Sequence, residues 1–465
     1  MPSSQGLQAP LKNIRVLDLS RVFAMPFAAA NLADLGAEVI KIDTCQTQFM
    51  DTTRTITGPF PGNKPGEYWW EQGGTFQNLN RGKRSLTLDL RSEESQKMIK
   101  DLVRVSDVVL ENFTPRVMDR FGLDYESLRA YKPDLIMVSN TGYGHSGPWS
   151  NFGAMASALE PTHGTGAFMG YMEEGHDGLL SEGQVPNKMG NSYSDFLASW
   201  TALGSLMAAL LHRAKTGRGQ WIDLAMYQTG TTVIGAGLLD YSYNGRRTRR
   251  IGNRHLAWSP HGVYPCQGHD QWVAIAARDD SDWRAICHTI GQPELLSDPR
   301  LAYPIDRRQH QEELDEIISG WTRQRTPYQA MNTLQEAGVP AGAVLNAGQA
   351  LVDRQYLDRG FFEVVHNPPE VDLRSKGYVG RAWKFSGSET GIKGPAPRLG
   401  EANNYVLGEL LGVSSEIMDR LEEDWIIGNI PEGGAAPRQV PLDEQVDLGW
   451  IAEFDADYLE KLPPV

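Results

Sequence analysis

Along the first 140 residues the apolar positions switch repeatedly between a strand-like and a helix-like period. Residues 14–19 and 39–42 are short apolar runs, and between them Pro26 opens a helical pattern that Gly36 closes. Residues 86–90 alternate with period two, and Ser92, Glu93 and Glu94 then begin a helix whose Met98, Ile99, Leu102 and Val103 share one face. Residues 108–110 and 135–138 read as further strands, separated by a helix that Thr114 and Pro115 cap and begin and that ends near Gly122. Strands alternating with helices predict an α/β fold, a parallel sheet covered by helices on both faces.

Beyond this region the pattern changes twice. Residues 142–190 are rich in Gly, Ser, Thr and Pro, the composition of a long, loop-rich connection, which at such length is functional or disordered. A strongly apolar helix over 196–214 follows, ended by Gly217, and then a strand at 221–224. That helix is too short and too interrupted by Ser199, Thr201, Gly204 and Ser205 for a membrane span, so it reads as buried core. The expected organisation is a large-domain segment at 11–225, linker helices at 226–261, a small α/β domain at 262–342, a return to the large domain at 343–428, and an arm at 429–465. Residues 431–465 hold eight acidic and two basic residues, so much of the chain's charge sits in the arm.

The 465 residues hold 44 Lys and Arg against 58 Asp and Glu, a net charge of −14. No basic tract is present, which argues against nucleic-acid binding and requires any phosphate-bearing ligand to be met by local cations. Cys45, Cys266 and Cys287 show no metal-ligand spacing, and residues 1–10 lack signal-peptide character; a reduced, cytoplasmic protein without a metal or membrane partner is expected.

Several residues offer chemistry. Gly142, Gly144 and Gly147 match a dinucleotide fingerprint, but Pro148 and Trp149 follow where that fingerprint would open a helix. Arg81, Lys83 and Arg84 cluster before one strand and Arg91 lies beyond it; with Arg116 and Arg120 they could hold an anion across adjacent βα loops, or could be a solvated turn. His145, His163, His176 and His255 are possible bases. Tyr68, Trp69 and Trp70 could line an acyl pocket or pack in the core. Asp195 stands where the long apolar helix begins. A carboxylate there is equally a helix cap or a nucleophile whose oxyanion intermediates meet nearby backbone N–H groups.

Several longer runs resemble the class III CoA-transferases, which include formyl-CoA, carnitine and bile-acid CoA-transferases. They are residues 15–20 and 33–42, residues 83–90, Glu111-Asn112-Phe113, Thr141-Gly142-Tyr143-Gly144, residues 216–220, 252–255, 338–342 and 395–401, all in the family's order. The resemblance implies that Asp195 is the nucleophile and that CoA transfer passes through mixed anhydrides and an aspartyl-CoA thioester. It implies CoA contacts at Ala24, Leu88, Arg91, Asn112, Phe113, Thr114 and Arg120, with acyl-CoA and a carboxylic acid as substrates and no tightly bound cofactor. It also implies a Rossmann-like large domain built from both chain ends, a small central domain, and a homodimer of interlocked subunits. Met25 and Ser194 stand where members often have glycine, and Phe23 replaces the first-loop glutamine of formyl-CoA transferase, which disfavours formate or oxalate. The α-methylacyl-CoA racemases share the aspartate but pair it with a histidine where Met155 stands here. A catalytically silent CoA binder is the third reading.

Overall fold

The computed structural model describes residues 8–56, 58–171, 192–247, 250–373 and 376–462. Six strands, β1 (Arg15–Asp18), β2 (Glu38–Asp43), β3 (Arg84–Thr87), β4 (Val108–Glu111), β5 (Ile136–Thr141) and β6 (Gln220–Ala225), pair in parallel in the order β3-β2-β1-β4-β5-β6. This α/β topology reverses direction between β1 and β4, and such a reversal opens a crevice at the carboxyl ends of those two strands.

Successive strand residues point to opposite faces, so each strand feeds two cores. Val16, Val39, Val108 and Ile136 pack with helices α1 (Ala24–Asp34) and α4 (Tyr193–Thr216), the latter placed through Ala198, Ala202 and Leu206. Leu17, Ile40, Val109 and Met137 pack instead with α2 (Glu93–Arg104) and with Leu407, Leu421 and Ile427 from the chain's far end. Residues 404–410 form a π-helix with Val406 and Leu407 buried.

The chain divides into two compact units. The larger comprises the described residues of 1–165, 189–238 and 354–465. The smaller comprises those of 166–188 and 239–353, and holds an antiparallel sheet of β7 (His261–Pro265), β8 (Trp272–Ala276) and β9 (Ala341–Val344). Its core gathers Tyr264, Val273, Ile275, Trp283, Ile286, Leu314, Ile318 and Leu334. The acidic terminal segment is anchored within the larger unit: Cys45 O accepts from Glu432 N–H at 2.7 Å and Val440 O from Asn63 Nδ2 at 2.7 Å. It includes two short helices, Leu442–Asp447 and Tyr458–Lys461.

Three helix starts differ from expectation. α1 begins at Ala24, two residues before Pro26, whose missing N–H falls in the first turn where no intrahelical partner is needed. The helix after Asn112 is only Val117–Arg120, because Arg116 takes a left-handed φ of 72° at its N-cap and Thr114 makes no capping bond. α4 begins at Tyr193, so Asp195 sits inside its first turn while Ser192 occupies the N-cap position. At 24 residues α4 is also longer than expected, and apolar enough by length and composition to cross a bilayer. Its Ala198, Ala202, Leu206 and Ala209 are nonetheless buried in the protein core.

Candidate active site

The crevice at the β1–β4 switch point is shaped by the loop from Leu19 to Phe23. Asn112, just after β4, grips it from both sides: its Oδ1 accepts from Arg21 N–H at 2.9 Å and its Nδ2 donates to Arg21 O at 2.8 Å. The next residue, Val22, has φ of 71°, a costly conformation for a β-branched side chain, and its N–H faces both Asp51 oxygens at 3.3 Å. Beneath the loop, buried Lys41 donates to Ser20 O at 2.9 Å and pairs with Asp51 at 3.3 Å. The loop is thus strained and over-determined, as expected for a backbone that must present groups to a ligand.

Asp195 meets α1 where this loop ends. The Ala24 backbone N–H lies beside the Asp195 carboxylate and favours its charged form, and Ser199 Oγ, one turn further along α4, donates to Ala24 O. The carboxyl is pushed up to about 7, first by burial and then by the charge of Glu160, with the Ala24 hydrogen bond opposing the shift. Asp195 lies past the N-cap position, which Ser192 fills, and is an acid in the first turn of α4. Burial and a neighbouring negative charge thus give this carboxylate, between two helix N-termini, a raised affinity for protons.

The other expected residues separate into groups. Ala24 opens α1 and is buried, and Leu88 is buried in the second core. Phe113 carries the Arg21 guanidinium over its ring at 5.5 Å, and its N–H donates to Glu111 Oε2 at 2.9 Å. Thr114, Arg116 and Arg120 are exposed, and neither arginine forms an ion pair among the described residues. Beside them lies a cavity of about 310 Å³ lined by Glu111, Thr114, Arg116, Ser139, His145 and Trp221, in which burial pushes the Glu111 carboxyl up to about 7. Arg91 is exposed, forks onto Asp89 through Nε–Oδ1 and Nη2–Oδ2 contacts of 3.0 Å each, and covers the Phe49 ring.

The cationic turn is a structural device and not an anion cradle. Arg81 is buried and paired with Asp34 at 2.8 Å, and Lys83 is buried and paired with Asp18 at 2.7 Å. Burial lowers the Lys83 ammonium to about 8 despite the Asp18 charge. Only Arg84 is exposed, and it lies 3.4 Å from Glu38. Two ammonium or guanidinium groups so enclosed cannot reach a ligand. Tyr68 and Trp70 line a cavity of about 400 Å³ with Glu71, Glu370, Arg398 and Asn403, among which neither Asp195 nor Ala24 appears.

Among the histidines, His145 Nδ1 lies 3.1 Å from Asp223, and His255 stacks on Trp258 at 4.2 Å within the smaller unit. His176 lies outside the described residues. His163 is buried, kept neutral by that burial, and its Nε2 has no hydrogen-bond partner among the described residues. Arg21 and Glu160 were not singled out by sequence reasoning. Arg21 could have been found from its position directly after β1, and Glu160 as an acid on the otherwise apolar helix α3 (Ala156–Thr162).

Residues 11–403 match the CoA-transferase family III. A succinyl-CoA–D-citramalate CoA-transferase of Chloroflexus aurantiacus is 32% identical over 436 residues, covering 91% of this chain and all of the relative. A succinate–glutarate CoA-transferase of Agrobacterium fabrum is 33% identical over 420 residues, covering 88% and 98% respectively. A crystal structure of a CAIB/BAIF family protein from Brucella suis superposes with a TM-score of 0.75 at 30% identity, covering 87% of this chain and all of that one. The chain therefore belongs to the CoA-transferase family III. It is an enzyme that transfers coenzyme A between an acyl-CoA and a carboxylate.

Proposed function

We propose that Asp195 is the nucleophile of this transfer; the observation that supports it most is its carboxylate, partly buried beside the Ala24 N–H where the loop after β1 enters α1. An Asp195 oxygen attacks the thioester carbonyl, the C–S bond breaks, and the CoA thiolate leaves with the electron pair, giving a mixed anhydride. The thiolate attacks the Asp195 carbonyl and releases the donor acid, leaving an aspartyl-CoA thioester. The acceptor carboxylate then attacks that carbonyl and expels the thiolate, which closes the cycle by taking the acyl group from the second anhydride. Backbone N–H groups at the N-termini of α1 and α4 are positioned to stabilise the tetrahedral oxyanions.

Incubation with acyl-CoA followed by hydroxylamine converts an activated aspartyl carbonyl to a hydroxamate, which peptide mass spectrometry locates at Asp195. No adduct there under turnover conditions opposes the reading. Succinate and glutarate, named in the relatives, are the first donors and acceptors to test. Exchange of an α-proton with deuterated water in the absence of an acceptor acid would favour the racemase reading instead.

For CoA we assign Arg116 and Arg120 to the phosphates, the Phe113 and Arg21 pair to the wall of the crevice, and the adjacent cavity to the nucleotide end. Arg91, Thr114, Leu88, Asn112 and Ala24 are the remaining CoA contacts we propose, the buried Leu88 and Ala24 acting through the backbone they support. A charge-assisted phosphate hydrogen bond contributes about 1.5–3 kcal/mol. The Arg116→Ala, Arg120→Ala double variant is therefore expected to raise KM for acyl-CoA about 10-fold or more with kcat little changed, read by steady-state kinetics. A homodimer of interlocked subunits is the assembly expected, checked by sedimentation; a monomer at working concentrations would oppose it.

A further inference from the structure

The carboxyl of Glu160 presents an unsolved problem of burial. The residue is 2% exposed, both side-chain oxygens lack a hydrogen-bond partner among the described residues, and no lysine or arginine pairs with it there. An ionised carboxylate so enclosed costs several kcal/mol. Its helix, α3, packs against α4, and its negative charge bears on Asp195 and Tyr193 in the first turn of that helix. The placement is held by a short relay: Tyr193 O–H donates to Thr165 Oγ1 at 2.6 Å, and the Thr165 hydroxyl donates to Glu160 O at 2.7 Å. Among the described residues, the other titratable groups on the elements packed around it are His163, at the end of α3, and Tyr227, on the helix Met226–Thr231 that packs against α3.

An enclosed, unpartnered carboxyl on a helix packed against that of a second, partly buried one makes ionising both costly, whereas a single shared proton removes one charge and supplies the O–H donor that Glu160 otherwise lacks. We propose that Glu160 and Asp195 form a proton-sharing carboxyl pair in which Glu160 is a positioning residue. The proton bridges Glu160 to one Asp195 oxygen, the Ala24 N–H fixes the same carboxylate from the α1 side, and the remaining lone pairs face the thioester. No bond to carbon changes in this step, and the proton stays within the pair while the anhydride forms. The inference rests on Asp195 being the nucleophile.

The test compares Glu160→Gln with Glu160→Ala in the full-length enzyme. Glutamine keeps a side-chain donor and removes the charge, so Glu160→Gln is expected to retain at least about a third of kcat, while its acid limb in kcat/KM moves to lower pH. Alanine removes the donor, and misplacement of a reacting group by about 1 Å costs on the order of 100-fold. Glu160→Ala is thus expected to lose about that factor in kcat at unchanged KM for acyl-CoA. An acid limb that does not move in Glu160→Gln overturns the pairing even if the alanine variant fails to fold. Equal losses in both variants, or wild-type rates in Glu160→Ala, overturn it as well. If the wild-type enzyme itself gives no hydroxamate at Asp195, the nucleophile reading falls first; a wild-type adduct with an unmoved limb removes only the pair.

Discussion

Asp195→Asn is expected to reduce CoA transfer by more than about 10³-fold, the scale on which loss of a covalent nucleophile acts, with acyl-CoA binding retained. The same variant makes a second, independent statement through stability. The Asp195 carboxyl titrates at about 7 in the folded chain, above its unfolded value, because burial and the Glu160 charge disfavour ionisation. The folded state therefore binds the extra proton between the two values, and the wild-type protein loses stability as pH rises through that window. Asparagine has no proton to lose. The variant should melt higher than wild type at pH 8, with the gap closing as pH falls towards 4. Full transfer activity in Asp195→Asn, or a melting difference independent of pH, would contradict both the role and the environment assigned here.

The largest stability effect is expected at Arg54. Its guanidinium pairs with Asp43 at 3.0 Å and Glu71 at 2.7 Å, donates to Pro397 O at 2.9 Å, and lies 3.6 Å from the centroid of the Phe76 ring. All three charged residues are buried. Removing one member of a buried ion-pair cluster leaves the others desolvated and unpaired, which costs about 3–5 kcal/mol. Arg54→Met should therefore lower the urea unfolding free energy by that amount, and adding Asp43→Asn and Glu71→Gln should recover part of the loss. A loss below about 1 kcal/mol would mean that the acids find other partners. The position matters to function because Arg54 joins residues near both ends of the chain, one turn from Asp51, which holds Lys41 and the strained Val22.

How much was legible in the sequence differs by element. The parallel sheet was readable because hydrophobic period is local: Val16 and Leu17 are adjacent, and their opposite directions follow from strand geometry alone. Arg81 and Lys83 were misjudged because three cations in four positions look solvated or ligand-binding, and their partners Asp34 and Asp18 lie dozens of residues away. Glu160 was overlooked for the same reason: its significance is the company of Asp195, 35 positions later. Asp195 itself was recognised at the start of its helix, but residue types alone left capping and nucleophile readings balanced. The three extra residues at the N-terminus of α4 move Asp195 off the N-cap position and into the first turn.

The amino-acid order by itself determined the alternation of strands and helices and brought Asp195 forward as the candidate nucleophile. Tertiary structure alone decided which charges are buried in pairs and which stay exposed, how Asn112 clamps the first loop, and that the buried Glu160 sits on a helix packed against that of Asp195. Periodicity and helix ends are written in near neighbours along the chain. Burial and charge pairing depend on residues that only folding brings together, and they set the protonation and reach of each side chain.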